Sequence, residues 1–135
     1  MRNRAAAIIL RNNQVLLMHR QKPGRDYYIL PGGGVKLDES FSDACKREVI
    51  EETGLEVLGL TMVLTNFTGG AEEQYFLVRV GEGEPVLGGT EAGLNSPENA
   101  YSFDWLTETE LESCNIKPEA AKRMCLSVIR KSGGG

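Results

Sequence analysis

Apolar and polar positions along this chain mark out a series of short strands interrupted by helical stretches. Residues 5–11 are apolar and rich in strand-forming side chains toward their end. Asn12-Asn13 is a turn signal, and residues 14–20 follow as the second strand of a hairpin. Residues 21–26 hold Pro23 and Gly24 and read as a loop, and residues 27–30 as a short strand leading into a glycine loop at Gly32, Gly33 and Gly34. Residues 40–53 contain no Gly or Pro and are followed by Gly54, which predicts a helix with a glycine stop and with Asp38 or Ser40 as N-cap. Strands are predicted over residues 56–66 and 74–80, with a turn at residues 68–73 between them. Residues 81–100 are irregular, glycine-rich and carry Pro85 and Pro97, with a short strand at 85–87. A loop this long within a compact domain is functional or disordered. Residues 101–106 read as a strand, Thr107 and Glu110 form a capping box opening a helix to residue 113, and residues 117–131 form a helix with Pro118 in its first turn. That last helix carries an apolar stripe of Ala121, Met124, Cys125 and Val128. Residues 132–135 are expected to fray. With no repeat, heptad array or linker, the pattern gives one domain over residues 1–135, α+β or α/β, with a mixed sheet between helical layers.

The helix at 40–53 breaks the ordinary rule for amphipathic helices. At about 100° per residue, Glu48, Glu51 and Glu52 fall in one arc of roughly 100°. Phe41, Ala44 and Cys45 lie on or beside that arc. The stripe that should face the core therefore also carries three carboxylates. Like charges at these spacings repel, and burying an unpaired carboxylate is costly. A cation among them would resolve the conflict, and oxygen-only ligands select a hard ion, Mg²⁺ or Mn²⁺, that bridges to phosphates. The competing reading is a solvated acidic face beside a narrow core stripe.

The spacing decides between them. Gly33 is followed after five residues by Glu39, and after seven more by Arg47-Glu48-Val49-Ile50-Glu51-Glu52-Thr53-Gly54-Leu55. This resembles the Nudix box, G-x5-E-x7-R-E-U-x-E-E-x-G-U with U a bulky aliphatic, and every fixed position is filled. A chance match at a given start is on the order of 10⁻⁸ from average residue usage. The flanks are similar too, with Ile29-Leu30-Pro31-Gly32-Gly33 before the box and Phe103-Asp104-Trp105-Leu106 near the end. The resemblance implies the Nudix fold, an α/β/α sandwich around a mixed sheet. It implies that Glu48, Glu51 and Glu52 hold divalent ions, with the backbone carbonyl of Gly32 completing the site. Glu39, Arg47 and Gly33 would then support the site, fixing the loop against the helix. Lys36 and Asp38 stand where family members often have Glu and Gly, which bears on loop shape.

Outside the box, Arg20 ends the second strand where the family often has a phosphate-contacting arginine, with Lys22 and Arg25 as weaker candidates. The family commonly adds a glutamate from outside the box as ligand or base; here that would be Glu91, with Glu98 as second choice. The lone histidine, His19, has a suitable pKa for catalysis but the family rarely needs one. Tyr27, Tyr28, Phe67 and Tyr75 could stack on a base, although aromatics in strands more often pair within the sheet. Trp105 reads as packing.

Composition narrows the partners. The chain has 135 residues, 25% of them charged, and a net charge of −4. That gives no basic footprint for a nucleic-acid polymer and suits a small phosphorylated molecule carried by Mg²⁺. Cys45, Cys114 and Cys125 are an odd set without C-x-x-C spacing, as for reduced thiols in a cytoplasmic protein. Neither a signal peptide nor a membrane-length apolar run is evident, and a monomer or homodimer is expected. The implied activity is Mg²⁺-dependent cleavage of a diphosphate linkage in a nucleoside diphosphate derivative. The ADP-ribose subfamily mark is a proline about 15 residues past the box, where Gly70 and Ala71 stand here. The diadenosine-polyphosphate mark is a tyrosine about 17 residues past it; Tyr75 lies further on. The missing marks favour a MutT-like nucleoside triphosphate pyrophosphohydrolase, with oxidised dGTP as one substrate. The alternatives are a pyrophosphatase for ADP-ribose or dinucleoside polyphosphates, and a nucleotide-binding module without hydrolysis.

Overall fold

The computed structural model describes residues 2–88 and 96–133. Its elements are β1 (Arg4–Arg11), β2 (Gln14–Lys22), β3 (Arg25–Ile29), β4 (Gly32–Gly34), α1 (Phe41–Thr53), β5 (Val57–Thr68), β6 (Ala71–Val80), β7 (Ala100–Leu106), α2 (Glu108–Ser113) and α3 (Glu119–Gly133). The strands form one seven-stranded mixed sheet with the path β3-β2-β1-β6-β5, β4 pairing with β1 and β7 with β2. β1 and β6 are parallel and the other pairs antiparallel.

Alternation along the strands creates two cores. Ala5, Ala7 and Ile9 of β1, Leu16 of β2, and Phe76 and Val78 of β6 face one way and pack on Ala44, Cys45 and Val49 of α1. Ile8, Val15, Leu17 and Tyr75 face the other way, onto Leu111 of α2 and Ala121, Cys125 and Val128 of α3. The result is the expected α/β/α sandwich. No helix among the described residues is long and apolar enough to cross a membrane.

Two local features place the site. The β1–β2 hairpin turns at Asn12 and Asn13, both with positive φ (53° and 59°), as a two-residue loop requires. It stays zipped only from Ile9↔Leu16 to Arg11↔Gln14. Beyond that β2 swings away to pair with β3, and β4 fills the opening beside Arg4, Ala5 and Ala6. The glycine stretch expected as a loop is therefore a strand in mid-sheet. Glycine permits this: a Cβ on Gly32, whose φ is 155°, would overlap the Ala5 carbonyl oxygen.

The second feature is the start of α1. Ser40, not Asp38, is the N-cap, its hydroxyl accepting from the Asp43 amide at 3.0 Å. Asp38 instead adopts a left-handed φ of 66°, a conformation that glycine takes without strain. Gly54 ends the helix with φ 73° as expected, and Thr107 and Glu110 form the capping box of α2. The short strand expected at 85–87 is absent; that stretch runs over the end of α1 instead.

Candidate active site

Glu48, Glu51 and Glu52 all lie in the last two turns of α1, and the side chains of Glu48 and Glu52 reach β4. Their burial grades around the helix: Glu52 lies in the buried stripe at 5% exposure, the Glu48 side chain is 17% exposed and that of Glu51 is 52% exposed. Glu52 Oε1 accepts from the Gly32 amide at 2.9 Å, tying the helix to the strand. Beside it the Cys45 thiol is pushed up to about 12, by burial first and then by the Glu52 charge, so it stays protonated and inert.

Arg47 organises the rest. Its guanidinium grips Glu39 with two hydrogen bonds of 2.8 and 3.0 Å, donates to Glu48 Oε1 at 2.7 Å, reaches Glu51 Oε2 at 3.4 Å and donates to the Gly34 carbonyl at 3.0 Å. Glu39 also accepts from the Lys36 amide at 2.9 Å. The Arg47 bonds, and then that amide, lower the Glu39 carboxyl from 4.5 to about 2. A group whose pKa is depressed in the fold adds stability above its unfolded value and loses it as pH falls toward the folded one. This clasp of loop to helix is therefore complete above about pH 4.5 and opens only towards pH 2. Glu39 and Arg47 together tie the loop before α1 to the helix and to β4. Gly33 leaves room for the Glu48 carboxylate, because a Cβ there would lie 2.6 Å from Glu48 Cδ.

One guanidinium thus serves three glutamates, Glu39, Glu48 and Glu51, while Glu52 is held by the Gly32 amide. The donors fit a hard divalent cation by chemistry: carboxylate and backbone oxygen only, with carboxylates in excess of cations and strand backbone free of side chains beside them. They are not gathered around a common point at ligand distance among the described residues, because Arg47 holds Glu48 and reaches Glu51.

The other candidates separate. Arg20 faces the α1 side of the sheet but stands on the β2–β3–β7 wing. Its guanidinium lies 4.0 Å over the Tyr101 ring and 5.9 Å from the Tyr27 ring, Nη2 donates to Asn99 Oδ1 at 3.3 Å, and Nε is buried with no partner. Arg25 approaches the Tyr27 ring at 4.9 Å, and Lys22 pairs with Arg25 across the strands. Glu98 is exposed in the turn closed by Ser96 and Asn99. Glu91 lies outside the described residues. His19 alternates with Arg20 and so points to the opposite face, away from the glutamates. There it stacks on Tyr28 at 4.2 Å and bonds Asp26 at 2.5 Å. Tyr75 is buried, with its hydroxyl on Glu73, and Phe67 lies on the outermost strand at 72% exposure. Trp105 packs beneath Arg11, whose guanidinium is 4.3 Å from its ring centre.

The sequence carried no sign of one further contact. The amides of Val86 and Gly88 donate to the carbonyls of Thr53 and Glu52, at 2.9 and 3.0 Å. They cap the helix end that bears the glutamates, and a Cβ on Gly88 would overlap the Glu51 carbonyl oxygen. A backbone bond of this kind needs no particular side chain, so only the glycine could have hinted at it.

Comparison with known proteins agrees with this architecture. The chain is 42% identical over 59 residues to an RNA pyrophosphohydrolase of Thioalkalivibrio sulfidiphilus, a match spanning 40% of this chain and 34% of that relative. It therefore aligns with about a third of the relative's length. Its fold superposes on a structure from a study of MutT from Aliivibrio salmonicida and Vibrio cholerae with a TM-score of 0.75 at 21% identity, covering 96% of this chain and 98% of the other. A MutT NUDIX hydrolase from Burkholderia pseudomallei gives 0.68 at 24% identity, covering 93% and 95%. The family model described as the NUDIX domain matches residues 1–125, which takes in the box, the β4 strand and the sheet that carries them. The chain belongs to the NUDIX family.

Proposed function

We propose that this chain is a Mg²⁺-dependent hydrolase, with Mn²⁺ as a substitute ion, that cuts the diphosphate linkage of a nucleoside diphosphate derivative. The favoured substrate is a nucleoside triphosphate, giving monophosphate and pyrophosphate, with 8-oxo-dGTP foremost among those to test. The observation that carries this reading is the placement of Glu48, Glu51 and Glu52 at one end of α1, with Arg47 bonded to the first two and the Gly32 amide of β4 to the third. Glu48, Glu51, Glu52 and the Gly32 carbonyl are the proposed ligands. When bound, the ion supplies charge neutralisation on the phosphate oxygens and Lewis acidity toward the attacking water. Glu52 is held in place by the Gly32 amide, and Glu48 by Arg47 on one side and Gly33 on the other. Arg20, stacked on Tyr101 and bonded to Asn99, is the proposed contact for the phosphate oxygens. A carboxylate takes the proton from the attacking water. We assign that role to Glu91, which follows Gly88 by three residues in the sequence.

A panel of nucleotides assayed with each ion tests the reading. Turnover is expected with Mg²⁺ or Mn²⁺ and should be weak with Ca²⁺, whose larger and looser shell suits such a site badly. Full turnover in excess chelator would overturn it; nucleotide binding without turnover under any ion would favour a regulatory module. The panel includes ADP-ribose and dinucleoside polyphosphates as alternatives. It also includes a 5′-triphosphorylated RNA, because of the partial match to an RNA pyrophosphohydrolase; the net charge of −4 weighs against that substrate.

The base assignment has its own expected result. Glu91→Gln lowers kcat more than it raises KM, the mark of an interaction made mainly in the transition state. Glu98→Gln, exposed in its turn, is near silent. Rate measurements across pH decide it: if Glu98→Gln loses the basic-limb rate instead, the roles exchange. If neither variant changes the profile, a box glutamate is the base.

A further inference from the structure

β5 ends the sheet path, so its outer edge presents N–H and C=O groups that no strand among the described residues pairs with. Proteins normally guard such an edge with charged residues or proline. The twelve residues of β5, VLGLTMVLTNFT, contain none, in a chain of which 25% is charged. Leu58 and Met62 are each 49% exposed and Phe67 is 72% exposed. Register shifts interrupt the strand between Val57 and Gly59 and between Met62 and Leu64. Residues 64–68 remain an unbroken run, paired one to one with residues 71–75 of β6.

We propose that this edge is where two copies of the chain pair, β5 against β5 in antiparallel fashion about a two-fold axis, joining the two sheets into one. The inference rests on the fold alone and not on the hydrolase reading. The occupant follows from charge and symmetry. Each copy carries a net charge of −4, whereas the residues of this strand are all uncharged and meet their own copies without like-charge repulsion. A charged partner peptide would find no counter-charge on the strand. A two-fold pairing needs one surface complementary to itself, and an antiparallel strand edge meets that condition. Centring the axis on Asn66 sets Phe67 opposite Thr65 of the partner subunit, an aromatic against a β-branched side chain, and brings the two Phe67 rings to diagonal neighbour positions. The most exposed aromatic of the outer strand would thereby be covered.

Sedimentation equilibrium of the full chain, from low micromolar to several hundred micromolar, tests this. The average mass is expected to climb from 14.8 kDa toward twice that value. Thr65→Lys and Phe67→Lys each put a like charge on both sides of the seam and should return the mass to 14.8 kDa. Turnover of the best substrate in Thr65→Lys should stay at the unmodified level, since Thr65 bonds Met62 Sδ and none of the glutamates. A mass of 14.8 kDa at every concentration overturns the proposal, as does a dimer that survives both lysines. Should the variants fail to fold, hydrogen exchange of the unmodified chain decides: β5 amides must gain protection as concentration rises, and concentration-independent exchange there overturns the proposal.

Discussion

Glu52→Gln should lower kcat by about three orders of magnitude while leaving the melting temperature unchanged or slightly raised. The two halves of that expectation come from the same geometry. Glu52 is 5% exposed and its Oε1 accepts from the Gly32 amide at 2.9 Å. Glutamine keeps the acceptor, the size and the tie to β4, so the fold loses nothing. It removes one negative charge from a helix end that also carries Glu48 and Glu51, and relief of that repulsion favours folding slightly. What disappears is the charge the proposed ion requires. Turnover at saturating Mg²⁺ beside a calorimetric melt gives both numbers. Near-normal kcat would mean that Glu52 serves only to hold the strand, and the metal assignment would fall with it.

The charge arrangement was readable in the sequence because a helix has a fixed period. Once residues 40–53 are helical, Glu48, Glu51 and Glu52 must share an arc with the core stripe. The clasp was readable only in part. The box spacing associates Arg47 with Glu39, but its further bonds to Glu48 and the Gly34 carbonyl depend on where β4 runs. β4 itself could not be seen: three glycines carry no strand propensity, and what makes them a strand is the gap left where β2 parts from β1, a tertiary event. His19 shows the opposite case. It neighbours Arg20 in sequence, but strand alternation sends the two to opposite faces, and that much follows from period two alone. Which face α1 covers had to come from the folded chain. The contact of Val86 and Gly88 with the end of α1 is made by backbone amides and leaves no pattern to read.

Gly33→Ala should reduce kcat/KM by about a hundredfold without unfolding the protein, an effect typical of a reactive group displaced by about 1 Å. The position is a sensitive one. Gly32, its neighbour, cannot accept a side chain at all, because the obstacle there is the backbone of Ala5. At Gly33 the obstacle is a side chain: a Cβ would lie 2.6 Å from Glu48 Cδ and 2.7 Å from each carboxylate oxygen. The carboxylate can swing aside, so the strand survives and the 2.7 Å bond from Arg47 does not. Any loss of activity must then run through Glu48, and a double-mutant cycle isolates that route. In a Glu48→Ala background the obstacle is gone, and adding Gly33→Ala should cost almost nothing more. If instead the two losses simply add, Gly33 acts on the site by some path other than the Glu48 carboxylate. The proposed role of Glu48 would then lose the strongest support that the packing of the loop gives it.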